Sequence, residues 1–222
     1  SPGTVLFFRL GDFYEVFGED AVVAAKVLGL TLTKRHETPM AGLPHHAAPA
    51  YVNRLLAAGW KVAICDQLEA PVAGKLVRRG LTRILTPGTA LEDSQLDSRR
   101  GNYLAAISWD KQGWHAAWLD VSTADFRLAT DASPARLLPL LHSVSPREII
   151  LLEGLEPPAE HREALEVFLL GRAVSRLPGW NFDGAAGARL VAQTLSVHGL
   201  AGFGLTEEHP ALGVAGAVLG YV

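Results

Sequence analysis

The chain has 222 residues, 49% hydrophobic and 19% charged, with a net charge of −3. That balance fits a globular protein of one large or two modest domains, and no apolar stretch approaches the roughly 20 residues of a membrane-spanning helix. The single cysteine, Cys65, excludes an internal disulfide framework and makes a reducing cytoplasm the expected compartment.

Charge divides unevenly: residues 1–100 carry 12 Lys and Arg against 10 Asp and Glu, and residues 101–222 carry 8 against 13. Neither half is basic enough to announce nucleic-acid binding by itself. Local clusters are more telling: Lys34-Arg35, and Lys75, Arg78, Arg79 and Arg83. A solvated surface face is the plain reading of both.

The first half reads as alternating strands and helices. Residues 4–9 form a strand, and "GDFYEVFGEDA" follows, with two aromatics and a carboxylate just past a glycine at the strand's end. Side chains alternate faces along a strand, so Phe13 and Glu15 share one face and Tyr14 takes the other. If Tyr14 enters the core, a ring and an acid stand together facing outward. From these residues alone, Phe13 reads as core, with a functional role the minority reading.

"GEDAVVAAKVLGL" is a helix with acids in its first turn and Gly29 near its end. "TLTKR" is short and extended. "HETPMAGLPHH" reads as a loop punctuated by Pro39, Gly42 and Pro44. A second helix carries Tyr51, Val52, Leu55 and Leu56 and stops at Gly59, and "WKVAICDQL" and "LVRRGLTRIL" are strands.

Residues 86–102 break the composition, giving domains over 1–95 and 103–222 with a linker at 96–102. Beyond it, "NYLAAISW", "GWHAAWLDV" and "TADFRLAT" suggest a three-stranded meander with turns at Gln112-Gly113 and Ser122-Thr123. Ser133-Pro134 opens a helix that Pro139 should shorten or kink. "REIILLE" is a buried strand, "AEHREALEVFLL" a helix, 172–176 a weak strand, and Asp183 to His198 a helix. The fold class is α/β in a mixed α+β arrangement, the second domain a mixed sheet under helices as in ribonuclease H-like domains. The run from Pro210 starts a helix with no C-cap before the last residue. The second domain thus reads as truncated, and this helix is expected to fray or lean on a neighbour.

Motifs for catalysis are weak. "AGKL" at 73–76 is no phosphate loop, and "GLAGFG" at 199–204 has the wrong spacing for a dinucleotide. His36, His45 and His46 lack companions for a metal. Asp120 lies where a ribonuclease H-like nuclease would hold a metal, but Asp110, Asp125, Glu148 and Glu153 offer no clear further ligands. A strand-end role suits Asp120 better.

"LFFRLGDFYEVFGEDA", "TPMAGLPHHA", "VAICDQLE", "TRILTPGT" and "NYLAAI…LDVSTADF" resemble, in this order, the N-terminal part of the MutS family of DNA mismatch-recognition proteins. The likeness runs from about residue 4 through "LDVSTADF" and more weakly to the end, and "GDFYE" with "PMAGLP" carries it. It implies a mixed-sheet mismatch-binding domain followed by a ribonuclease H-like connector domain. Within the family the first aromatic of F-x-E stacks on a mispaired base from the minor groove and the acid hydrogen-bonds that base. These roles fall on Phe13 and Glu15. Lys34, Arg35, Arg78 and Arg79 become candidates for phosphate contact, and Met40 for approach to the groove.

The resemblance also implies partners: mismatched duplex DNA, MutL through the connector, and a homodimer in the full-length protein, with no membrane. No cofactor is expected in this stretch, since ATP and Mg belong to the family's separate ATPase domain. The expected place is the bacterial cytoplasm, with nucleoid association during repair. Two alternatives stand beside this non-enzymatic reading: a metal-dependent nuclease on the second domain, and a protein-interaction module.

Overall fold

Residues 3–69, 77–89 and 101–222 are described by a computed structural model, whose chain divides into two units, Ser1–Ala90 and Leu91–Val222. Lys75 and most of the 96–102 linker lie outside the described residues.

In the first unit β1 (Thr4–Leu10) turns tightly into β2 (Phe13–Phe17), with Phe8 opposite Glu15 and Leu10 opposite Phe13. "FYE" therefore opens a strand of its own instead of closing the first one. The turn needs a left-handed backbone, which Gly11 supplies with φ of 58°. Helix α1 (Gly18–Leu28) follows and ends on Gly29, which adopts the left-handed C-cap. Its first-turn acid Asp20 accepts the backbone N–H of Leu6 at 2.9 Å, at a point of β1 beyond the pairing with β2.

The stretch read as a loop at 36–46 is largely a strand. β3 (Thr33–Arg35) and β4 (Thr38–Pro44) form a hairpin, and β4 lies between β3 and β2. Its prolines are harmless because of where they fall. The ladder to β2 runs from Met40 to Pro44, so Pro39 precedes it and Pro44 ends it. Ala41 and Leu43 alternate into the core. Helix α2 (Ala48–Ala57), β5 (Lys61–Gln67, parallel to β1) and β6 (Arg79–Leu85) complete a sheet of order β3-β4-β2-β1-β5-β6.

Both helices pack on one side of this sheet. Ala21, Ala24, Leu28, Val52, Leu55 and Leu56 meet Val5, Phe7, Tyr14, Val16, Leu43 and Ile64 in a single cluster. The opposite face carries Leu6, Phe8, Phe13, Glu15, Phe17, Met40 and Leu81 by register. Leu6, Phe13 and Leu81 there are exposed. A hollow of about 250 Å³ on that side is lined by Leu6, Phe8, Phe17 and Asp20.

In the second unit β7 (Tyr103–Asp110), β8 (Gly113–Asp120) and β9 (Asp125–Asp131) form the expected meander. β10 (Glu148–Leu152) runs parallel to β7, and β11 (Ala173–Leu177) parallel to β10, in the order β11-β10-β7-β8-β9. Three antiparallel strands followed by two parallel ones make this a mixed, ribonuclease H-like sheet. Helices α3 (Pro134–Val144) and α4 (Arg162–Leu169) cover one face, with Leu137, Leu141, Leu165 and Phe168 against Ile107, Trp118 and Ile149. Helices α5 (Gly184–Thr194) and α6 (Leu212–Tyr221) cover the other.

Three expectations need correction here. α3 continues through Pro139, which is exposed, so the carbonyl it leaves without an N–H donor stays on the solvent side. α5 stops short of His198, where Ser196 turns left-handed at φ 55°. The C-terminal run is no frayed end: every residue from Leu212 to Val218 is buried, as expected of a helix apolar all round. Its Tyr221 hydroxyl donates to the buried Glu148 carboxylate at 2.8 Å. Gly187 lets α5 approach α6, since a Cβ there would sit 2.0 Å from the Leu212 carbonyl oxygen.

Candidate nucleic-acid interface

The site is built on β2. Tyr14 is 5% exposed and Phe13 is 49% exposed, so the alternation read from the sequence places the ring of Phe13 and the acid of Glu15 on the helix-free face. Tyr14 is anchored from below. Its hydroxyl donates to Asp66 Oδ2 at 2.8 Å, and the Arg9 guanidinium lies 5.5 Å from its ring centroid. Burial first, then the hydrogen bond and charge of Asp66, push the Tyr14 hydroxyl above its ordinary pKa.

The turn before Phe13 is fastened too. The Asp12 carbonyl accepts the backbone N–H of His45 at 2.9 Å and lies 3.2 Å from His45 Nδ1. Arg9 Nε donates to the Gly11 carbonyl. Phe13 thus projects from a turn held on both sides, which limits the freedom its exposed ring would otherwise have to surrender on binding.

Glu15 meets Arg35 Nη1 at 3.5 Å through Oε2. By register Glu15 stands opposite Gly42 and Arg35 opposite Thr38, four residues away along β4. The contact therefore requires the β3–β4 hairpin to curl over the outer face. Lys34 pairs with Pro39 and so belongs to the other face, although sequence reading grouped it with Arg35. Met40 is half-buried on the same face as Glu15, opposite Phe17.

The remaining basic candidates differ in freedom. Arg78 is exposed, and its backbone is tied to Glu69 and Leu68. Arg79 is committed inside the unit: it donates to the carbonyls of Arg9 at 2.7 Å and Val77 at 3.0 Å, with its guanidinium 5.5 Å from the Phe8 ring centroid. Sequence reading missed Arg9, Asp66 and His45. The signal available for the first two was chemical, because a buried tyrosine hydroxyl needs a partner.

In the second unit Asp120 ends β8 as expected and is buried. Its Oδ1 accepts Ser122 Oγ at 2.6 Å, Ser122 N at 3.0 Å and Asn102 N at 3.2 Å. Burial alone would raise its pKa, but these hydrogen bonds prevail and hold the carboxyl below the usual value. Asp125, opposite Asp120 in the ladder, is bonded to Arg127 at 3.0 Å, and Asp110 to His115 Nε2 at 3.0 Å. Both acids nearest Asp120 in sequence thus have partners of their own, and Asp120 serves the strand end.

Two family models match the chain in tandem, MutS domain I over residues 1–94 and MutS domain II over residues 102–222. The chain belongs to the MutS family. The DNA mismatch repair protein MutS of Myxococcus xanthus is 41% identical over 226 residues, covering all of this chain and 25% of its own length. That of Symbiobacterium thermophilum is 42% identical over 231 residues, covering all of this chain and 26% of its own. The chain spans about a quarter of the MutS relatives it matches. A Thermus thermophilus RuvC structure aligns with 52% of this chain and 92% of its own, at 16% identity and a TM-score of 0.36, too loose a likeness to bear an argument. Among the described residues no helix is long and apolar enough to cross a membrane.

Proposed function

We propose that this chain recognises mispaired or unpaired bases in duplex DNA, as the DNA-reading part of a longer mismatch-repair protein. One observation carries the reading: Phe13, half-exposed, stands beside Glu15 on the helix-free face while Tyr14 between them is locked into the core. Phe13 is the wedge. An apolar ring pushed into a base step unstacks it and kinks the duplex, and a mispaired step has less pairing and stacking to lose. Stacking a base on the ring returns about 1–3 kcal/mol. Glu15 hydrogen-bonds the displaced base. Its repulsion from phosphates acts on every duplex, whereas that bond needs a distorted site, so the acid discriminates against paired DNA.

Arg78 and Met40 remain candidates for backbone or groove contact, and Lys34, on the other face of the edge strand β3, only for a phosphate reached around that edge. Arg79 is the weaker one, because two carbonyls already hold its guanidinium. Residues 1–95 form the reading domain, 96–102 a linker and 103–222 a connector that relays the signal and meets MutL. The longer protein works as a cytoplasmic homodimer, with ATP and Mg bound outside this stretch. The nuclease alternative is disfavoured by the three hydrogen bonds that Asp120 Oδ1 already accepts.

The test is Phe13→Ala in the protein at the full length of its MutS relatives. Mismatch preference should vanish while weak, salt-sensitive binding to any duplex persists, since phosphate contacts survive. A variant that keeps the wild-type ratio of mismatched to paired affinity removes Phe13 from the wedge role.

A further inference from the structure

Glu15 has a feature that base recognition alone does not require. Its side chain is 21% exposed, yet Oε2 is sealed from water and accepts no hydrogen bond. A carboxylate oxygen shut away from solvent without a donor is costly unless a cation offsets it. Arg35 Nη1, 3.5 Å away, is the cation that pairs with it among the described residues. The neighbouring cations are placed elsewhere: Arg9 is turned to Gly11 and Tyr14, Arg79 to Arg9 and Val77, and Lys34 lies on the opposite face.

We infer that Arg35 is the positioning residue of Glu15: it holds one carboxylate oxygen under the curled β3–β4 hairpin and leaves the other for the base. This rests on the reading of Glu15 given above. Two consequences follow from the geometry. The pair presents less negative charge to the phosphates than a free carboxylate would, which softens the penalty that Glu15 imposes on every duplex. It also fixes the direction of the free oxygen, which a hydrogen bond to a single displaced base requires. Arg35 therefore governs the ratio of mismatched to paired affinity, and is more than a phosphate contact. The fold does not depend on the pair, because Arg35 is 59% exposed and, once it is gone, the partly exposed Glu15 side chain can turn its carboxylate to water.

The experiment is a double-mutant cycle in the protein at the full length of its MutS relatives. Arg35→Gln, Glu15→Gln and the double variant are titrated with a short duplex carrying one G·T mispair and with its fully paired counterpart. Arg35→Gln is expected to lower the mismatched-to-paired ratio by roughly three- to tenfold when Glu15 is present, in the lower part of the range of coupling between contacting residues. In the Glu15→Gln background the same change should leave the ratio where it is. Arg35→Lys should restore overall affinity and only part of the ratio, since an ammonium keeps the charge but not the fork. Equal loss on both duplexes in both backgrounds, with a shallower salt dependence, would make Arg35 a phosphate contact and overturn the proposal. If Glu15→Gln leaves the wild-type ratio intact, the reading of Glu15 itself fails and this inference falls with it. Unchanged thermal melting of Arg35→Gln separates either outcome from misfolding.

Discussion

Tyr14 and Asp66 lie on strands that are not neighbours, β2 and β5, and their 2.8 Å hydrogen bond passes on the core side of the intervening β1. Because Tyr14 cannot leave the core without breaking this bond, Phe13 and Glu15 cannot leave the outer face. A one-residue slip of β2 would reverse all three. The outer face is thus maintained from beneath by a core residue, Tyr14.

Tyr14→Phe tests this anchor. The variant should lose about 1 kcal/mol at neutral pH, the usual net worth of one hydrogen bond. The alkaline limb gives a second reading. The folded hydroxyl titrates above its ordinary value of 10.0, so its contribution is complete below pH 10 and is lost as pH rises through the folded pKa. Urea melts of wild type and variant should therefore converge above pH 10. A gap that widens there would show that Tyr14 is not the group titrating.

Asp120→Asn addresses the strand end of the second unit. Losing the charge behind three hydrogen bonds at one oxygen should cost about 1–2 kcal/mol. The folded carboxyl is held below the ordinary 3.8, so its stabilisation is present above that pH and is lost as pH falls through the folded pKa. Denaturation at pH 7 and again near pH 3 should show the difference shrinking in acid. An equal difference at both values would assign the cost to packing instead.

Gly187→Ala probes the α5–α6 crossing. The added methyl would lie 2.0 Å from the Leu212 carbonyl oxygen and 2.8 Å from its carbon, both backbone atoms that cannot rotate away. Separating two packed helices should cost about 1–3 kcal/mol or more. Gly184→Ala, on the same helix with nothing within 4 Å, is the matched control and should be neutral or mildly stabilising. Similar melts for the two variants would mean that the helices are not in close contact.

Local rules made part of this molecule legible. Face alternation at Phe13, Tyr14 and Glu15 needs only the two-residue period of a strand, and Ser133-Pro134 announced α3 through capping chemistry alone. β4 escaped because Pro39, Gly42 and Pro44 look like breakers in isolation. Which bonds a proline forfeits depends on the neighbouring strand, and that is tertiary information. The helix α6 was legible but its burial was not, since a helix buried on every side is stabilised by its surroundings more than by caps. The Glu15–Arg35 pair is the clearest case. Twenty residues and a curled hairpin separate the two, and no periodicity links them.

The bond from the Leu6 N–H to Asp20 has a consequence for how the molecule avoids its own kind. Where β2 turns away into α1, β1 is left with a backbone donor on its open flank, and unpaired strand edges are templates for adding a foreign strand. A carboxylate from the first turn of α1 occupies that donor and sets a negative charge in the path of any incoming chain. Strand addition at this point is thus opposed by a side chain that also favours the N-terminal end of its own helix. The protection is local and chemical, and it leaves the sheet's broad outer face bare for use.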